Sequence, residues 1–154
     1  MSSVTLEQAA TIVDTALAEG RAEGMMALTV VVLDAGGHLV AAKREDGSGI
    51  LRVEIATGKA WGALGMGVAT RSLRDRLADR PAFQNALAAA SGSRFVPVPG
   101  GVLIRDDEAR VIGAVGISGD TSDKDEYCAI RGIAAAGLAS EPAEPAPDWA
   151  GSGL

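Results

Sequence analysis

The sequence predicts an α+β domain built on one mainly antiparallel sheet of four to five strands flanked by helices, with the layering of profilin and PAS domains. Three observations carry this prediction. Two apolar strand pairs are each joined by a short turn, one across Asp34-Ala-Gly-Gly37 and one across Asp106-Asp-Glu-Ala109, and hairpins make antiparallel pairs. Helical periodicity surrounds and separates the hairpins, giving the order α-β-β-α-α-β-β-α. The 154 residues contain no internal linker and no short-period repeat, as expected of one domain.

The elements follow in order. Thr5-Leu-Glu-Gln8 forms a capping box, and Leu6, Ala9, Ala10, Val13, Ala16, Leu17 and Gly20 follow helical spacing, so a helix is expected over about 5–22. Leu28 to Leu33 is continuously apolar and Val-rich, the pattern of a strand buried on both faces. His38 to Arg44 returns as its hairpin partner. A helix over about 50–65 carries Ile55, Ala56, Lys59 and Ala60. Thr70 opens a short basic helix, Pro81 stops it, and another turn or two of helix runs to Ala90. Val102–Arg105 and Arg110–Ser118 make the second hairpin. Ser122 or Asp123 caps a last helix over about 123–140, with Tyr127, Ile130, Ala134 and Leu138 on its buried face. Glu141 to Leu154 is rich in Pro, Ala, Gly and acid, so residues 1–140 are expected to form the domain and 141–154 a flexible tail.

Composition narrows the function classes. Apolar residues make up 47% of the chain, yet the aromatics are two Trp, one Tyr and two Phe, so the core must be built from Ala, Val, Ile and Leu in tight contact. A net charge of −6 argues against nucleic acid or anionic membranes as partners. No apolar run approaches the roughly 18 residues that span a bilayer. The opening Met-Ser-Ser-Val-Thr-Leu-Glu lacks a basic segment leading into an apolar one. The one cysteine, Cys128, excludes an internal disulfide. A cytoplasmic location is therefore expected.

Several segments together carry a resemblance. Asp34-Ala-Gly-Gly-His-Leu-Val40, Arg44-Glu-Asp-Gly47, Lys59-Ala60, Thr70-Arg71, Pro99-Gly-Gly-Val102, Gly113-Ala-Val-Gly-Ile-Ser-Gly-Asp120 and Asp125-Glu126 fall in order. This pattern resembles the GlcG/HbpS-like family over about residues 3–140. The family includes haem-binding proteins of extracellular redox sensing, the C-terminal domain of the PduO-type cobalamin adenosyltransferase, and glycolate-operon proteins. The resemblance implies an antiparallel sheet flanked by helices, assembled as dimers and often octamers, with haem or corrinoid binding, haem degradation or other small-molecule roles. Two departures stand out: the glycine-rich Trp61-Gly-Ala-Leu-Gly-Met-Gly67, and Asp120 where a glycine is usual.

The candidate residues each admit two readings. His38 could ligate haem iron or act as a base, or it could be a half-exposed histidine at a turn. Zinc has no support, because one His and one Cys cannot supply four ligands. Cys128 suits a buried structural thiol better than a nucleophile, since no base accompanies it. Asp120, Asp123, Asp125 and Glu126 crowd the last helix start, where acids favour the macrodipole. Asp125 also matches the family's acid, and crowding could raise a carboxyl pKa into the range of a base. Lys59 is a buried paired lysine or a catalytic one. Arg71 fits the family pattern among otherwise solvated arginines and could hold a carboxylate. Gly100 and Gly101 cradle an anion or planar ligand with backbone N–H groups, or simply turn into the strand. Neither a P-loop nor a dinucleotide fingerprint is present.

The expected site lies where the Gly100-Gly101 loop, the Ser118–Ser122 loop and the first hairpin converge, near a subunit boundary. His38, Lys59 and Asp125 are its candidates for catalysis, with His38 also the metal ligand if haem binds. Arg71, Gly100, Gly101, Ser118, Gly119 and Glu126 are its candidates for ligand binding. Three function classes compete. One is binding of haem, another tetrapyrrole, or a related planar or anionic ligand. The second is a cofactor-free isomerase, cyclase, hydratase or lyase acting on a small organic acid or enol. The third is a structural or regulatory homo-oligomer, anywhere from dimer to octamer, joined through small-residue helix faces.

Overall fold

The computed structural model describes residues 2–154. Helix α1 (Leu6–Ala22) starts at the predicted capping box: Gln8 N–H donates to Thr5 Oγ1, and Thr5 N–H donates to Gln8 Oε1. It buries Ala9, Ile12, Val13, Ala16 and Gly20. Strand β1 (Thr29–Asp34) is buried along almost its whole length, whereas β2 (Leu39–Arg44) is largely exposed. In the turn between them, Asp34 Oδ1 accepts the N–H of Gly36 and of His38, each at 2.9 Å. A short polar side chain closing its own turn is what the Asp-Ala-Gly-Gly signal predicts.

Helix α2 (Arg52–Met66) ends at Gly67, whose φ of 71° is left-handed and closes the helix as glycine does best. Two short helices follow, α3 (Thr70–Leu77) and α4 (Pro81–Ala90), the latter with proline in its first turn. Strands β3 (Gly101–Arg105) and β4 (Val111–Ser118) form the second hairpin. Helix α5 (Ser122–Ala135) is capped by Thr121, which accepts Lys124 N–H. It ends about five residues sooner than its apolar pattern predicts, because the next residues extend into β5 (Ala139–Glu141).

The sheet order is β2-β1-β4-β3-β5, with every neighbouring pair antiparallel. The two hairpins thus lie side by side through the β1–β4 pairing. One face of the sheet carries Val30, Val32, Val102, Ile104, Val115 and Ile117 against α1 and α5. The other carries Val31, Leu33, Leu103 and Ala114 against α2. α2 lies close on the sheet because two glycines face it. A Cβ on Gly116 would stand 1.8 Å from Ala56 O, and one on Gly101 would stand 2.4 Å from Lys59 O.

The stretch 141–154, expected as a flexible tail, has specific contacts here. Glu141 pairs with Leu103 in the sheet. Trp149 stacks on Tyr127 with ring centroids 3.7 Å apart and planes 8° from parallel. Ser152 Oγ lies 2.6 Å from Thr121 Oγ1. Its prolines and acids gave no period from which this could be read. The order comes from partners distant in sequence.

Candidate functional site

At one end of β4, Lys59, Asp125, Gly100, Gly101, Ser118 and Gly119 come together as a closed polar cluster, without His38. Lys59 comes from the middle of α2, where it faces the sheet. Its Nζ donates to Ile117 O at 2.8 Å and lies 3.2 Å from Asp125 Oδ2. The other oxygen of Asp125 accepts Asp120 N–H at 3.0 Å. Lys59 is 2% exposed and Asp125 1%. Burial therefore dominates both titrations: it lowers the Lys59 pKa, with the Asp125 charge opposing, and pushes Asp125 up to about 6, with the Lys59 charge opposing.

Gly100, at φ 119°, lies directly over the ammonium: a Cβ there would be 2.8 Å from Lys59 Nζ. The Gly101 amide is occupied, donating to Thr70 Oγ1 at 2.8 Å, and the same hydroxyl donates back to Gly101 O at 3.2 Å. Ser118 Oγ accepts from an Arg52 guanidinium nitrogen at 3.0 Å. Gly119 is required by close approach, since a Cβ would meet Ala27 O at 2.3 Å. At the start of α5, Thr121 N–H goes to Asp120 Oδ1 and Lys124 N–H to Thr121 Oγ1. The amides that the sequence left available for an anion are in these cases taken by side chains, by Thr70 of α3 for Gly101 and by residues of the same loop for Thr121 and Lys124.

Beside this cluster, Arg71 from α3 grips Glu126 from α5 in two-pronged fashion. Nε donates to Oε2 at 3.1 Å, and one terminal nitrogen donates to Oε1. The same nitrogen reaches Glu144 O at 3.0 Å. Glu126 is fully buried, which raises its pKa against the lowering effect of Arg71.

His38 is elsewhere. β1 pairs Thr29 with Ser118 and Asp34 with Gly113, so the His38 turn lies at the opposite end of β1 from Ser118, about 17 Å away at the usual rise per residue. The imidazole is 82% exposed, and its Nδ1 lies 3.3 Å from Asp34 Oδ1. Its Nε2 makes no hydrogen bond among the described residues. The first hairpin therefore reaches the Lys59 cluster through its strand ends, not through its turn.

The family model described as "Haem degrading protein HbpS-like" matches residues 4–134. The chain belongs to this HbpS-like family. Among solved structures, HbpS is 27% identical, covering 87% of this chain and 90% of its own, with a TM-score of 0.74. The Klebsiella pneumoniae protein ORFY is 25% identical, covering 89% and 92%, with a TM-score of 0.79. A structure described as a PduOC:haem complex is 24% identical, covering 88% and 96%, with a TM-score of 0.76, and shows a shared fold. No match is found among curated proteins.

This HbpS-like chain also holds polar neighbours of the cluster that the sequence did not single out. Thr70 threads α3 to β3, Arg52 closes over Ser118, and Ser48 Oγ sits 2.8 Å from Thr29 Oγ1. The Thr70-Arg71 dipeptide was part of the resemblance, but nothing in it distinguished the hydroxyl from the guanidinium. Burial pushes the Cys128 thiol up to about 12, and its Sγ lies 3.5 Å from the Met25 sulfur, so it is no nucleophile in this setting. Among the described residues, no group of three or more His, Cys, Asp or Glu could hold a metal ion, and no helix is long and apolar enough to cross a membrane.

Proposed function

We propose that the protein binds haem, or a closely related planar tetrapyrrole, through His38. The observation that carries this reading is the disposition of the imidazole. It is exposed, its Nδ1 is held by Asp34, and its Nε2 faces no partner. A carboxylate behind one ring nitrogen orients the ring and raises the basicity of the other. Gly36 leaves room for that orientation, since a Cβ there would stand 3.0 Å from the ring. The neighbouring surface suits a flat apolar face: Leu39 is 65% exposed, and Trp61 and Leu64 wall a shallow groove beside the turn. Haem, when bound, supplies a redox-active iron whose behaviour the axial nitrogen tunes. The family description, which concerns haem degradation, is the reason to name haem before other planar ligands. A buried, protonated Cys128 is compatible with a cytoplasmic setting.

Haem titrated into the apo protein should give a Soret band that saturates at one haem per chain. His38→Ala should abolish it, and Asp34→Asn should weaken binding about 10-fold or more. A band of unchanged position and affinity in His38→Ala overturns the reading.

A second reading rests on Lys59 and Asp125. A carboxyl titrating near 6 beside an amine of lowered pKa is the equipment of a proton-transfer enzyme on a small acid or enol. Arg71 and Glu126 would then orient a carboxylate. This reading requires the cluster to open, because every group in it is paired. Modification of Lys59 by trinitrobenzenesulfonate at neutral pH, with the fold intact, would favour it, and a protected Lys59 counts against it.

A further inference from the structure

Trp61 separates two surface depressions. One borders the His38 turn. The other, of about 230 Å³, lies between the C-terminal half of α2 and α4, with Gly62 and Gly65 at its floor and Trp61, Met66, Leu87 and Phe95 around it. We infer that this second groove binds a small aromatic carboxylate, with the ring in the groove and the carboxylate on Arg94. The two depressions share Trp61 and Gly65, but this inference does not depend on haem binding.

Three features of the groove point to that ligand class. The first is how the groove arises. α4 buries none of its own residues, so it stands off from α2, and the glycines at 62 and 65 leave a gap between the α2 side chains of Trp61 and Met66. The second is its apolar character. Its one polar wall residue, Ser91, already uses its hydroxyl on Ala88 O at 3.1 Å. A ligand gains nothing polar inside and must enter by an apolar ring. Trp61 and Phe95 offer aromatic surface, for which stacked or edge-on packing is favourable.

The third feature is Arg94. Its guanidinium carbon lies 4.0 Å from the Trp61 ring centroid, and its Nε donates to Ser91 O at 2.9 Å. Both contacts are to residues of the groove wall, so the guanidinium is fixed at the groove. Its two terminal nitrogens have no hydrogen bond and no carboxylate among the described residues. Arg21, Arg71, Arg105, Arg110 and Arg131 all have one. Arg80, over Phe83 at 4.4 Å, also lacks a counter-charge among the described residues, but Arg94 alone pairs that arrangement with a groove beside it, which suits an anion from outside in a chain of net charge −6. A planar guanidinium with two free N–H groups matches a carboxylate. Size limits the ring: sites for drug-sized ligands run to about 300–1,000 Å³, so this groove takes one small ring system and excludes a porphyrin.

The test uses 2-naphthoate with the apo protein in a Trp149→Phe background, where Trp61 is the one remaining tryptophan. Naphthoate should change the Trp61 emission saturably. Arg94→Gln should weaken naphthoate about 10-fold or more while leaving the neutral 2-naphthol within twofold. Gly65→Leu should remove binding of both, with the melting temperature retained, since a Cβ at 65 meets only the Trp61 ring, at 3.7 Å. His38→Ala should leave naphthoate binding unchanged even though it removes haem. Absence of saturable binding overturns the inference. So does naphthoate affinity that survives either Arg94→Gln or Gly65→Leu.

Discussion

Asp125 is the residue through which burial ties stability to pH. Burial pushes its pKa up to about 6 in the fold, against 3.8 as its ordinary value. The folded protein therefore holds more protons than the unfolded chain between those two values. Stabilisation by this group is full below about pH 4 and is lost as pH rises through 6. Asp125→Asn removes the titration. The stability of the wild type minus that of Asp125→Asn should then fall between pH 4 and pH 7, by roughly 3 kcal/mol. Urea unfolding across that range measures it, and a difference that stays constant would show that Asp125 titrates normally. Much of this residue's neighbourhood was legible in the sequence. An acid at the start of α5 and a lysine inside an apolar stretch of α2 both suggested pairing. The location of His38 was not legible, because which end of the sheet its turn occupies depends on which strands of the two hairpins pair and in which direction, here β1 antiparallel to β4, and that is set by packing.

At the scale of elements, the contact between α2 and the β3–β4 hairpin depends on missing side chains. Both Gly101 and Gly116 face the α2 backbone so closely that a Cβ has no room. Gly101→Val should therefore destabilise the fold by about 2–3 kcal/mol or more, as overpacking against rigid backbone does. Denaturant unfolding is the check, and a loss of ligand binding at unchanged stability would return Gly101 to the role of a ligand-facing turn. The glycines were visible in the sequence, but their reason was not, since a glycine that turns and a glycine that is packed upon look alike. The C-terminal stretch poses the same difficulty. β5 is three residues long, too short for any alternation to register. Removal of residues 142–154 takes away the Trp149–Tyr127 stack and the Arg71–Glu144 bond. It should lower the melting temperature by about 2–4 °C for each kcal/mol lost. An unchanged melting curve would mean that the segment is dispensable.

For the molecule as a whole, the surface is less finished than the core. α1, α2 and α5 cover the sheet faces, yet Ile50 is 99% exposed, Leu51 62% and Val53 39%, all at the start of α2. β2 is an edge strand with a free side, and edges of this kind are usually covered. Small residues that α5 does not bury, Ala134 and Ala135, lie near its end. Single exposed apolar side chains are ordinary, but a run of three within four residues is the mark of a covered surface. We expect a homo-oligomer in which a second copy covers the Ile50–Val53 segment. Light scattering at micromolar concentration should give a mass of at least twice 15.5 kDa. The double substitution Ile50→Asp and Leu51→Asp should shift it toward the single-chain mass without unfolding the chain, because neither side chain is in the core. A wild-type mass of 15.5 kDa would refute the assembly, and a variant that stays assembled would move the interface elsewhere, with the β2 edge the next surface to test.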